Sequence, residues 1–158
     1  MDTLHLSYLE LLGELGGTLD RLSELAQEKA AAVRADDLIA LDEVLKQEQA
    51  MGLNLRGLEI RRQKLVPQLG LEGTNLSGLV QKFPEHLKDK ARAAVDTLRE
   101  SYTNYRSYSG QARETLELNL HQVEKMITAA GADPKLAAAG YETPNVEPPK
   151  NMKTDFRA

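Results

Sequence analysis

Arg34-Ala35-Asp36-Asp37-Leu38-Ile39-Ala40-Leu41-Asp42-Glu43-Val44-Leu45, continued as far as Leu69, is the stretch that decides the fold. Its first residues turn one long helix into a second. Its remainder opens a seam reading Leu41, Leu45, Glu48, Met51, Leu55, Leu58, Arg62, Leu65 and Leu69. Steps of three and four residues keep one face of an α-helix aimed at a partner. Glu48 and Arg62 stand where an ordinary core would place leucine. A carboxylate that accepts neighbouring donors and a guanidinium that reaches outward are tolerable only in a narrow, leaky interface. The stretch therefore predicts half of a long antiparallel helical hairpin, with Asp36 or Asp37 capping the second helix.

Working outward, the leucine repeat Leu4, Tyr8, Leu12, Leu15, Leu19, Leu22, Ala26, Lys29, Val33 predicts a first helix over about 3–34, its stripe widened by Leu6, Leu9, Leu11 and Leu25. Gly13, Gly16 and Gly17 interrupt it, each at a cost of about 1 kcal/mol against alanine. The register continues across them, so one helix with a soft point is expected rather than two with Thr18 as a cap. The second helix, about 37–69, ends where Pro67 and Gly70 stop it. After a loop in which Thr74 or Asn75 starts a short helix, Pro84-Glu85 opens a third long helix over about 84–130. Residues 131–158 contain Pro144, Pro148 and Pro149 with little apolar bulk, and read as a flexible tail that cannot offset its ordering entropy by burial. The expected fold is all-α: an elongated antiparallel three-helix bundle or coiled coil on residues 1–130, with a C-terminal tail.

Composition narrows the function. The chain has 158 residues, a net charge of −4, no cysteine and 4% aromatics. No basic run exists to hold a phosphate backbone, so nucleic-acid binding is not expected. Absence of cysteine removes thiolate catalysis and cysteine-ligated zinc. The acidic, polar start and the lack of a long apolar run predict a soluble intracellular protein without membrane insertion. His5, His86 and His121 lack acidic or thiol partners at metalloenzyme spacing, and read as surface residues. His86-Leu87-Lys88 faintly suggests a phosphotransfer helix, but Asp89 beside it would repel a phosphoryl group. Glu48 and Arg62 lie about 21 Å apart along their helix and cannot act as an acid and its clamp. Tyr102, Tyr105 and Tyr108 drift around the third helix and lack the cations of a nucleotide-stacking platform. No catalytic residue, cofactor or metal is predicted.

What stands out is an apolar surplus late in the third long helix. Leu116, Leu120, Val123 and Ile127 form one stripe, and Asn119, Met126 and Ala130 the next. Together they exceed what a two-stripe seam needs. Either this is a generous core face, or it is a docking surface for a partner helix, with methionine supplying adaptable packing.

These features together resemble the FlgN family of flagellar export chaperones. The resemblance rests on the leucine-rich first helix, the Ala35-Asp36-Asp37…Leu41…Leu45 turn, Glu48, Leu55, Leu58-Glu59 and Arg61-Arg62. It continues through Leu65, the Leu69-Gly70 stop, Leu98-Arg99-Glu100, Asn104 and the tail around Tyr141. The chain departs from the family's usual pattern at Thr103-Asn104-Tyr105-Arg106-Ser107-Tyr108 and at Tyr141-Glu142-Thr143-Pro144. The resemblance implies a cytoplasmic chaperone that binds disordered terminal segments of the hook-associated proteins FlgK and FlgL and delivers them to the export gate. It places cargo on Leu116, Leu120, Val123, Met126 and Ile127 and on the tail residues Tyr141 and Val146, with Tyr141 a candidate contact for the gate component FlhA. The reading from residues alone leaves open a non-enzymatic coiled-coil adaptor that oligomerises through its exposed stripes.

Overall fold

The computed structural model describes residues 2–131. Four α-helices carry the described chain: α1, Asp2–Arg34; α2, Leu38–Gln68; α3, Leu76–Leu79; and α4, Lys88–Ala129. Single 3-10 turns at Val80–Lys82 and Glu85–Leu87 lead from α3 into α4. There is no strand among the described residues. The expected tail falls almost wholly outside them.

α1 is the central rod. Both α2 and α4 pack along it, whereas α2 and α4 make few close approaches to each other. α1 also holds the best-sealed side chains, Leu11, Leu12, Leu15, Leu19 and Leu25, each under 2% exposed. It passes through Gly13, Gly16 and Gly17 without a break. The Thr18 hydroxyl donates back to the Glu14 carbonyl at 3.1 Å, as it does inside a helix, instead of capping a new one. Leu6, expected to widen the buried stripe, is 42% exposed, because α1 is covered on two flanks and not all round.

The turn out of α1 is set by local chemistry. Asp36 takes the left-handed conformation at φ 54°, and Asp37 caps α2 by accepting the Ala40 amide at 3.0 Å. At its far end α2 closes with Gly70 at φ 66°; the Leu71 amide donates to the Val66 carbonyl and the Gly70 amide to that of Pro67. This pair satisfies the last carbonyls of the helix. Along α2 the expected seam holds at Leu55, Leu58 and Leu69, all buried. It slips by one residue at the start: Val44 is buried while Leu45 is 42% exposed. The drift of a 3.6-residue helix against a straight partner explains the slip.

The two ends of the molecule differ. At the end holding the start of α1, Leu69, Leu71, Leu76, Leu79, Phe83 and Leu87 are buried beneath the α2–α4 connection. Asn75 caps α3 by accepting the Gly78 amide at 2.9 Å, and Arg99 of α4 donates to the Ser77 hydroxyl at 2.8 Å, tying the lid down. At the other end no such lid occurs among the described residues, and Asp36, Asp37, Leu38 and Ile39 are all exposed.

α4 runs parallel to α1. The pair is matched at one end by His86 against Asp2 at 2.8 Å, and further along by Ala112 packed with Ala26 and Ala30. Beyond Ala112, α4 continues to Ala129, whereas beyond Ala30, α1 stops at Arg34. At about 1.5 Å per residue, the excess is roughly 15–20 Å of helix with no α1 beneath it.

This geometry separates two leucines of similar chemistry. Leu11→Ala, within the sealed row, is expected to lower unfolding free energy by about 2–5 kcal/mol. Leu120→Ala, on the overhang, is expected to change it by less than about 0.5 kcal/mol. Urea unfolding followed by helical circular dichroism measures both.

Candidate docking face

The face of α4 that meets α1 is built from residues at steps of three and four: Leu98, Ser101, Tyr105, Tyr108 and Ala112. Leu98, Ser101 and Ala112 are buried, and Tyr105 and Tyr108 are half-buried against the core clusters. The same helical register carries that face onward through Leu116, Asn119, Leu120, Val123, Met126 and Ile127. Burial then falls away. Leu116 and Ile127 are half-covered, Leu120 is 51% exposed, Val123 41% and Met126 71%. The predicted stripe is thus brought together on one helix face and left largely uncovered. Tyr141 and Val146 lie outside the described residues. α4 ends at Ala130 and Gly131, with the Ala130 amide on the Met126 carbonyl and Gly131 at φ 85°.

Sequence reasoning missed part of the apolar exposure. Leu118 is 65% exposed, and on the opposite side of the open end Leu38 is 76% and Ile39 87% exposed. Ten large apolar residues are exposed in all among the described residues. Seven of them, Leu38, Ile39, Leu45, Leu118, Leu120, Val123 and Met126, belong to the open end. Scattered single leucines are ordinary on a protein surface, but a concentration at one end is a mark of interaction. The signal available in the sequence was Leu38-Ile39 directly after the capping aspartate, which a helix hidden from its first turn would not need.

The polar seam residues turn out to be ties between helices. Lys29 of α1 reaches Glu48 of α2 at 2.8 Å, with both side chains about one-fifth exposed. Arg21 donates to Gln47 at 2.6 Å, and Arg61 to Glu14 at 3.0 Å. Arg62 grips Glu59 with two hydrogen bonds of 2.9 and 2.7 Å, and reaches the Tyr8 hydroxyl at 3.5 Å. Burial works against the Arg62 charge, but the bonds to Glu59 and Tyr8 outweigh it and hold the guanidinium above its ordinary range. The Arg62–Glu59 pair lies within α2, and the Tyr8 hydroxyl is its contact across to α1.

The histidines divide. His86 is exposed and bonded to Asp2, and His121 is exposed. His5, expected at the surface, is buried at 6% exposure with its ring edge-on to Phe83 at 4.9 Å between centroids. Its position one turn before Tyr8 on the covered flank of α1, beneath the lid that holds Phe83, is the reason. No cluster of three or more histidine, cysteine or acidic residues placed to hold a metal ion occurs among the described residues. No helix among them is long and apolar enough to cross a membrane.

No match is found among curated proteins or among solved structures. The family model described as FlgN protein matches residues 6–141, which takes in α1, α2, α3, α4 and the open end. The chain belongs to the FlgN family, and its general role is that of a flagellar export chaperone.

Proposed function

We infer that the chain is a cytoplasmic, non-enzymatic chaperone of type III export. Its cargo would be the disordered terminal segments of the hook-associated proteins FlgK and FlgL, which it would deliver to the export gate. The observation that carries this reading is the uncovered apolar face of α4 from Leu116 to Ile127, directly continuous with the face that packs on α1. A helix partner for such a face is already present further down the same helix, in the form of α1. An amphipathic cargo segment that becomes helical on contact would take the equivalent place beyond Arg34. Partial exposure suits transient capture, because ordering a disordered cargo lowers the net affinity. That balance lets cargo leave.

Tyr141 and Val146 extend the candidate contacts into the C-terminal segment, with Tyr141 assigned to the gate component FlhA. The family match includes Tyr141 as its last residue, which supports including this position.

Pull-down with peptides from the FlgK and FlgL termini tests the reading. Leu120→Asp and Ile127→Asp are expected each to weaken capture at least tenfold, since each places a charge in the docking face. Deletion from Gly131 onward is expected to weaken capture while the unfolding transition of the helical core stays in place. Capture by both aspartate variants as tight as by the wild-type chain would overturn the proposal.

A further inference from the structure

We propose that the lidded end contains a binding site for one resident water molecule, which joins three segments of the chain: α1 through Tyr8, α2 through Arg62, and the lid through Thr74 or Asn75. The site lies away from the α4 overhang and does not depend on what docks there.

The space comes first. A cavity of about 20 Å³ is lined by Tyr8, Arg62, Thr74 and Asn75, with leucines of α1, α3 and α4 completing its wall. A buried water needs roughly 10–15 Å³ of such space and about two to four polar partners. The cavity therefore has room for one water, and a phosphate or carboxylate group is too large for it. Cavities walled by hydrocarbon alone stay dry, but this one is bordered by residues carrying a phenol hydroxyl, a guanidinium, an alcohol and a carboxamide. The lid residues are held in place from the other side. The Thr74 amide donates to the Leu71 carbonyl at 3.0 Å, and Asn75 Oδ1 accepts the Gly78 amide at 2.9 Å. The Thr74 hydroxyl and the Asn75 side-chain nitrogen have no protein partner among the described residues.

The distances point the same way. Arg62 bonds Glu59 at 2.9 and 2.7 Å, yet its Nη1 stands 3.5 Å from the Tyr8 hydroxyl, at the outer limit of a hydrogen bond. Polar contacts of that length are the ones a bridging water completes. Both groups are well covered, Tyr8 at 3% exposure and the Arg62 side chain at 13%. A water in the cavity accepts from an Arg62 N–H and donates to the Tyr8 oxygen. Its remaining lone pair takes the Asn75 amide or the Thr74 hydroxyl, so no group changes its protonation. Arg62, an arginine in the apolar seam of α2, then ties both α1 and the lid to that helix.

A high-resolution crystal structure of the full chain tests the site. A water is expected within about 2.6–3.2 Å of Tyr8 Oη, of an Arg62 nitrogen, and of a Thr74 or Asn75 side-chain atom. A dry cavity, or a water bonded to one segment alone, overturns the proposal. Tyr8→Phe removes the hydroxyl at nearly unchanged volume. Its crystal structure is expected to lack the water, and amide exchange over residues 71–83 is expected to quicken at least threefold while Val95 to Ala112 keeps its rate. A Tyr8→Phe structure that retains the water, or lid exchange that stays at the wild-type rate, overturns the three-way joint. Where the variant fails to fold, the wild-type structure alone decides the site.

Discussion

Everything in this molecule depends on how much of α4 finds α1 beneath it. Among the described residues α1 is the rod packed on two flanks, and it carries the best-sealed leucines of the interior. Among the long helices, α1 is the one close partner of both α2 and α4. Once α1 stops at Arg34, α4 has lost the surface that its apolar face was built to meet, yet the face goes on for several turns. The uncovered length is a consequence of unequal helix lengths, and the proposed docking of cargo rests on it.

The contrast between the ends makes the point in chemical terms. Beneath the α2–α4 connection six apolar side chains are buried and hydrogen bonds from Asn75 and Arg99 lock the lid. A protein able to build that closure at one end has the means to close the other. At the open end leucine, isoleucine and methionine are exposed among the described residues.

Much of the architecture was legible in the sequence because it depends on local periodicity and punctuation. The α1 repeat across its glycines, the Asp37 cap, the Gly70 stop and the short α3 at Asn75 each follow from residues within one or two turns of each other. The same register drew attention to Leu116, Leu120, Val123, Met126 and Ile127, and to the family resemblance. What was not legible depends on relations between helices. Whether Leu45 or Val44 faces α1 depends on how the two rods drift past one another. His5 is buried because Phe83, far along the chain, folds over it. The partner of Glu48 is Lys29, from another helix, and no spacing rule within α2 points there. Exposure of Leu38 and Leu45 opposite α4 likewise required knowing that α2 and α4 stand apart.

Hydrogen exchange along α4, read peptide by peptide in the free protein and again with a cargo terminal segment added, tests the central claim most directly. The account predicts slow exchange from about Val95 to Ala112, where α1 lies beneath, and fast exchange from Leu116 to Ala129 in the free protein. Protection of that second segment should rise when cargo is present. Uniformly slow exchange along the whole of α4 in a cargo-free monomer would mean that the late face is already covered, and would contradict the account.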